Sequence, residues 1–220
     1  MKGTLMNLEI RHETEDEHFI VEQLTREAFW NLYVPGCDEH YLVHRMRSHQ
    51  DYVPELSFIA VKNGNIVGSI MYTRSFIENE EKERIRTLSF GPVCVHPDHQ
   101  RQGIGSALIE HTRKIAEGMG FPAIIILGDP HNYCKHGFRN GVDLNISMYG
   151  GMQPLGLLVL EMNGGIGRNG KYEYKGSEVY ALDPEEVMEF DRRFPFREKR
   201  HHYSQDLFSM ILRSRVEKSM

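Results

Sequence analysis

The chain has 220 residues, 40% of them hydrophobic, and a formal net charge of −5. That length and apolar fraction can bury one sizeable core, and they favour a single elaborated domain over two. The acidic balance argues against a dedicated nucleic-acid binder, whose footprint is basic, and no apolar run is long enough to span a membrane.

The opening MKGTLMNLEIRHETEDE lacks the apolar core of a signal peptide, which predicts a soluble, unprocessed protein. Cys37, Cys94 and Cys134 are odd in number and widely spaced, so neither a disulfide framework nor a zinc ribbon is expected, and a reducing, cytoplasmic setting fits best. Thr14 followed by Glu17 makes a capping box, and Ile20, Leu24 and Ala28 recur at helical spacing, predicting a helix over 15–30. A shorter helix is expected over 38–47 with Tyr41, Leu42 and Met46 as its apolar residues, so that both helices precede the strands.

LSFIAVKNGNIVGSIMYTRSF carries two β-rich runs about Asn63-Gly64, the dipeptide favoured by a primed hairpin turn. The charged IENEEKE reads as an exposed connection. RIRTLSFGPVCV is a third strand, with Gly91 and Pro92 marking a bulge or bend. From Gly103 a helix is expected, with Ile104, Ala107, Leu108, Ile115 and Met119 on its inner face and glycines 118 and 120 as stops. PAIIIL then reads as a strand buried on both faces, and the strand, helix, strand spacing predicts at least one parallel pair. LGLLVLEM and KYEYKGSEVYA are two further strands, joined as a hairpin through NGGIGRNG. Asp183 caps a short helix with Pro184 at its first position, and a last helix over about 205–216 places Leu207, Phe208, Ile211 and Leu212 on one side.

The stretch DHQRQGIGSALIEH sets two glycines, Gly103 and Gly105, at a helix start. Unpaired N–H groups and the positive end of the dipole favour an anion there. A Rossmann fingerprint is excluded because Leu108 stands where the third glycine belongs, and a P-loop because no Gly-Lys-Ser/Thr follows. Spacing alone leaves phosphate binding and simple close packing open.

Gln100-Arg101-Gln102-Gly103-Ile104-Gly105, with GPVCVHPDHQ before it and YCKHGF after it, resembles the GNAT superfamily of acetyl-CoA-dependent N-acetyltransferases, whose motif is Gln/Arg-x-x-Gly-x-Gly/Ala. LGDPHNYCKHGF and VPELSFIAVKNGNIVGSI are similar to a bacterial branch of mostly uncharacterised N-acetyltransferases, and the resemblance extends over about 8–180. It implies an α/β fold: a mixed, mostly antiparallel sheet with one splayed parallel strand pair, flanked by helices. The division expected is a domain over 1–182 with a C-terminal helical extension over 183–220, packed on the domain or on a partner subunit, with a homodimer one outcome.

The resemblance further implies that acetyl-CoA is the co-substrate, with pyrophosphate on Gln100, Arg101, Gln102, Gly103, Ile104, Gly105 and Ser106. Pantetheine would lie along Val93, Cys94 and Val95, where the family's fourth strand bulges, and an N–H of Val93 or Cys94 would hold the oxyanion. Tyr133 aligns with the general acid, and a phenol with a pKa near about 10 is protonated at neutral pH. The family's pantetheine Asn, seven residues before that Tyr, is Ile126 here. Candidate bases are Asp38 and Glu39, with Glu39 chosen, and the acidic residues 78–83. Cys94 or Cys134 could open a ping-pong route, which the family's direct transfer disfavours. The histidine pairs in HPDH and KRHH lack a ligand set, so no metal is expected. The acceptor is an unidentified amine, with no nucleic acid or membrane partner; the rival is a non-catalytic acyl-CoA-binding or regulatory module on the same fold.

Overall fold

The computed structural model describes residues 7–166 and 170–217. It opens on β1 (Leu8–Arg11), followed by α1 (His18–Phe29) and α2 (Glu39–Met46). The expectation that both helices precede the strands is thus corrected. At four residues β1 is too short for its alternation to register, yet it pairs along its whole length with β2 (Phe58–Lys62).

A single 3-10 turn leads into α1, where the Thr14 N–H donates to Glu17 Oε2 at 2.9 Å, as a capping box requires. The helix buries Val21, Leu24, Thr25 and Phe29, whereas Ile20, expected inside, is 49% exposed. The period holds but its phase turns by one residue, because Val21 packs on Ile59 and Val61 of β2. On α2 the buried residues are His40, Leu42, Val43 and Met46; Tyr41 turns to the rim and donates to Glu186 at 2.7 Å.

Asn63 and Gly64 both hold positive φ, 51° and 80°, the requirement of the primed turn that joins β2 to β3 (Asn65–Glu78). The charged connection shortens to 79–83, because β3 and β4 (Arg84–Val95) stay paired out to Glu78 opposite Arg84. Tyr72 of β3 pairs with Phe90 and Ile70 with Val93, so Gly91 and Pro92 together oppose the single residue Met71. One extra residue reverses the face on which every later side chain falls. Leu88 and Phe90 before the bulge, and Val93 and Val95 after it, all join one core cluster, while Cys94 is sent to the opposite face.

The helix α3 (Ile104–Gly118) covers the first of these faces and α1 with α2 the second. Ile104, Leu108, Ile109, Thr112 and Ala116 are its buried residues; Met119, expected on that face, lies past the helix end and is 41% exposed. β5 (Ala123–Leu127) returns parallel to β4, but only Leu88 and Ile124 are in register, and beyond them the two strands part. A single turn, α4 (Pro130–Tyr133), and the short strands β6 (Arg139–Asn140) and β7 (Ile146–Ser147) lead to β8 (Leu157–Glu161) and β9 (Tyr172–Lys175).

Among the described residues the sheet runs β1-β2-β3-β4-β5-β8-β6, with β9 pairing β3 and β7. The parallel pairs are β4 with β5 and β7 with β9. β8 and β9 therefore do not form the expected hairpin: β8 lies between β5 and β6, and β9 caps the far end of β3. Residues 167–169 of the glycine-rich loop between them lie outside the described residues.

Asp183 accepts from the Glu185 N–H at 2.8 Å and starts α5 (Pro184–Asp191). The last helix, α6 (Tyr203–Arg213), turns Phe208, Ile211 and Leu212 inward, but Leu207 faces out at 52% exposure. Gln205 takes its place inside, donating to the carbonyls of Asn31 and Arg200 at 3.1 and 3.0 Å.

Candidate active site

Where β4 and β5 part, a cavity of about 1150 Å³ opens through the sheet. At the fork the Ser89 hydroxyl donates to the carbonyl of Ile125 and touches the Tyr174 hydroxyl, closing the gap behind it. Past the fork the β5-facing edge of β4 has no strand partner among the described residues, so its backbone groups are left for a guest.

On the α3 side the cavity is lined by Val93, Cys94, Val95, Gln100, Arg101, Gly103, Ile104, Gly105 and Ser106. Gly103 is the N-cap of α3 at φ 87°, and a Cβ built there meets no atom within 4 Å; one built on Gly105 meets only Val95 Cγ2, at 3.6 Å. The turn is therefore bare backbone facing open space at the positive end of a fifteen-residue helix, which fits a pyrophosphate group. Gln100 braces the turn by donating to the Val95 carbonyl at 3.2 Å. Gln102 differs from expectation: it is absent from the lining, because its side chain accepts from Lys62 at 2.9 Å and donates to the Asp98 carbonyl at 3.2 Å.

Cys94 contributes backbone rather than chemistry. Its thiol lies 3.2 Å from the Ser69 hydroxyl and 3.7 Å from that of Thr25 on the far face, and burial raises its pKa. Cys134 is exposed and does not line the cavity.

Tyr133 stands at the passage between the two sides. Its ring packs between Phe90 and Phe138 at 5.7 and 5.9 Å, and above Gly128. Burial holds its phenol well above the ordinary range, reinforced by Tyr33 and Asp129, so the proton stays on at neutral pH. Ile126 lines the cavity where the Asn was expected.

Across the passage lie Tyr33, Val34, Asp38 and Glu39 from the α1–α2 loop and the start of α2, with Phe208, Ser209 and Leu212 of α6. Glu39 Oε2 accepts from the Cys37 thiol at 3.3 Å and the Asp38 N–H at 3.2 Å, and burial raises its pKa. The other proposed carboxylates are elsewhere: Glu78 lies at the far end of β3 in an ion pair with Arg84 at 2.7 Å, which with Lys82 holds its pKa low. Tyr33 and Ser209 went unread in sequence; Gly128 and Lys135 stood inside LGDPHN and YCKHGF with no role given to them, and Phe208 and Leu212 were read only as the apolar side of the last helix.

Residues 26–138 match the model of the acetyltransferase (GNAT) family. The chain belongs to the GNAT family. A relative in Escherichia coli K12, the uncharacterised N-acetyltransferase YjhQ, is 30% identical over 98 residues, which are 44% of this chain and 54% of that protein. The chain thus spans about half the length of the curated relative it matches. Two solved GNAT structures share the fold. A GNAT acetyltransferase of Brucella melitensis in complex with acetyl-CoA is 21% identical with a TM-score of 0.61, over 79% of this chain and 97% of its own. YhbS of Escherichia coli in complex with CoA is 20% identical with a TM-score of 0.63, over 80% and 93%. The bare turn and parted strands are therefore features of a GNAT chain, and no helix among the described residues is long and apolar enough to cross a membrane.

Proposed function

We propose that this GNAT chain transfers acetyl from acetyl-CoA to a primary amine by direct attack on the thioester. The observation that carries the reading is one cavity joining three things: the open helix start at Gly103, the unpaired edge of β4, and a protonated Tyr133 between them. Acetyl-CoA, the ligand named for the Brucella relative, would set its pyrophosphate on 101–106 and its pantetheine arm along Val93 to Val95. The N–H groups of the parted strand, at Val93 or Cys94, would stabilise the oxyanion as the amine attacks the carbonyl carbon.

In this scheme Glu39 accepts the amine's proton, directly or through water, and its raised pKa makes it a stronger base than a solvated carboxylate. Tyr133 gives its proton to the departing thiolate. Direct transfer is favoured over an acyl-cysteine route because the Cys94 thiol is buried on the other face and held protonated.

The test is acetyl-CoA binding by calorimetry, paired with amine-dependent thiol release across a panel of amines. Binding with release supports transfer; binding without release for any amine would favour a non-catalytic acyl-CoA module. A cytoplasmic, metal-independent enzyme is the setting proposed.

A further inference from the structure

The charges lining the cavity are sorted by side. Its Lys and Arg residues, Arg101 and Lys135, sit with the turn at Gly103, and its carboxylates, Asp38 and Glu39, sit opposite. Over those carboxylates the chain has placed aromatic surface from two distant segments: Tyr33 and Phe208 stack with centroids 4.0 Å apart and planes 23° from parallel. Phe208 is held there from both ends of α6. At one end Ser204 donates to the Leu32 carbonyl at 2.9 Å; at the other, the Val216 N–H donates to Gln153 at 2.9 Å and Ser214 accepts from Leu155 at 2.8 Å. The helix thus bridges the α1–α2 loop, which lines the cavity, and the loop before β8.

Resting on the transfer reading above, we propose that α6 forms a wall of the acceptor subsite and that the acceptor is a small primary amine with a flat apolar body. Its ammonium group meets Asp38 and Glu39, and its body lies against Phe208, Tyr33 and Leu212. Two carboxylates supply the charge that an incoming ammonium needs, although Lys199 on the tail offsets part of the field at Asp38. The aromatic pair adds ring faces for the body and for the cation. A long polycation has too few carboxylates to meet here, where Asp38 and Glu39 are the ones that line the cavity.

The test is calorimetry on the full chain, first with CoA alone and then with the CoA-saturated protein titrated with 2-phenylethylamine, spermidine or a lysine-containing peptide. The expected result is that 2-phenylethylamine binds most tightly. Phe208→Ala should weaken it by about tenfold or more, with Phe208→Leu weakening it less. Asp38→Asn should weaken all three amines, and CoA affinity should be the same in each variant. Melting curves of Phe208→Ala and Phe208→Leu establish that the fold is intact; the second variant keeps the packing if the first does not. Tighter binding of spermidine or peptide, no binding of 2-phenylethylamine, or an affinity indifferent to both Phe208 variants overturns the proposal while leaving CoA-dependent transfer standing. Failure of wild-type protein to bind CoA in the first titration overturns the transfer reading itself.

Discussion

The ring of Tyr133 occupies the space in which a side chain at Gly128 would stand: a Cβ built on Gly128 meets Tyr133 Cε2 at 2.6 Å and Cδ2 at 3.0 Å. The backbone at Gly128 is not in the left-handed region, so a substitution there moves the tyrosine rather than straining the chain. Gly128→Ala is expected to displace the phenol and to lower transfer by about tenfold or more, while the protein stays folded. Rates near wild type would mean that the ring position is unimportant.

Tyr133→Phe keeps the packing on Phe90 and Phe138 and deletes the proton. Single-turnover acetyl transfer should fall by about a hundredfold or more, with acetyl-CoA affinity nearly unchanged. A loss explained wholly by weaker binding would make the residue structural.

Gly105→Val is the cleaner probe of the phosphate turn, because a Cβ there meets only Val95 Cγ2 at 3.6 Å and the backbone φ is unexceptional. It should abolish CoA binding with little change in melting temperature. Gly103→Val should do the same but also destabilise, since φ there is 87°. Retained calorimetric affinity in Gly105→Val would remove the turn from the cofactor site.

At Gly156, an added Cβ would meet Ile211 Cγ2 at 2.8 Å, the Gly128 carbonyl at 3.1 Å and Leu212 Cδ2 at 3.3 Å. Gly156→Val is expected to lift α6 from its seat, which limited proteolysis would detect as faster cleavage after about residue 195. Unchanged cleavage would show that the helix accommodates the extra volume.

His40 is fully buried, with Nε2 3.2 Å from Asp191 Oδ1 but off the line of a hydrogen bond. Burial lowers its pKa from 6.5 to about 4, with Asp191 opposing and Arg26 and Lys199 assisting the shift. Between those values the unfolded chain binds a proton that the folded chain lacks. Stability should therefore fall as pH drops through this window and level off below it. Denaturant unfolding of wild type and His40→Gln between pH 7 and pH 4 checks this: the variant should lose that part of the slope. Parallel pH profiles would show that His40 does not titrate in this range.

What sequence disclosed was local. Gln100 to Gly105 announces its turn because the glycines and the helix pattern are adjacent, and Gly91-Pro92 announces a bulge because those residue types seldom sit in a plain strand. That the bulge turns the Cys94 thiol to the far face depends on its register with β3, where its partner Ser69 stands 25 positions upstream. NGGIGRNG looked like a hairpin loop because hairpin signals are read between neighbours, whereas β8 and β9 find partners far along the chain. The pairing of Tyr33 with Phe208 has no local trace at all. The last helix could be seen to be amphipathic, but not what its apolar side covers.

The stacking of Phe208 on Tyr33 also fixes an order of events during synthesis. Ser204 and Leu32, bonded beside that pair, are 172 positions apart. A ribosome adding about 5–20 residues per second delivers the Gly103 turn, β5 and Tyr133 several seconds before α6. The nascent chain can thus assemble the Gly103 side of its cavity while the opposite side still lacks a wall, and on the proposed transfer selectivity among amines would be the last property it acquires.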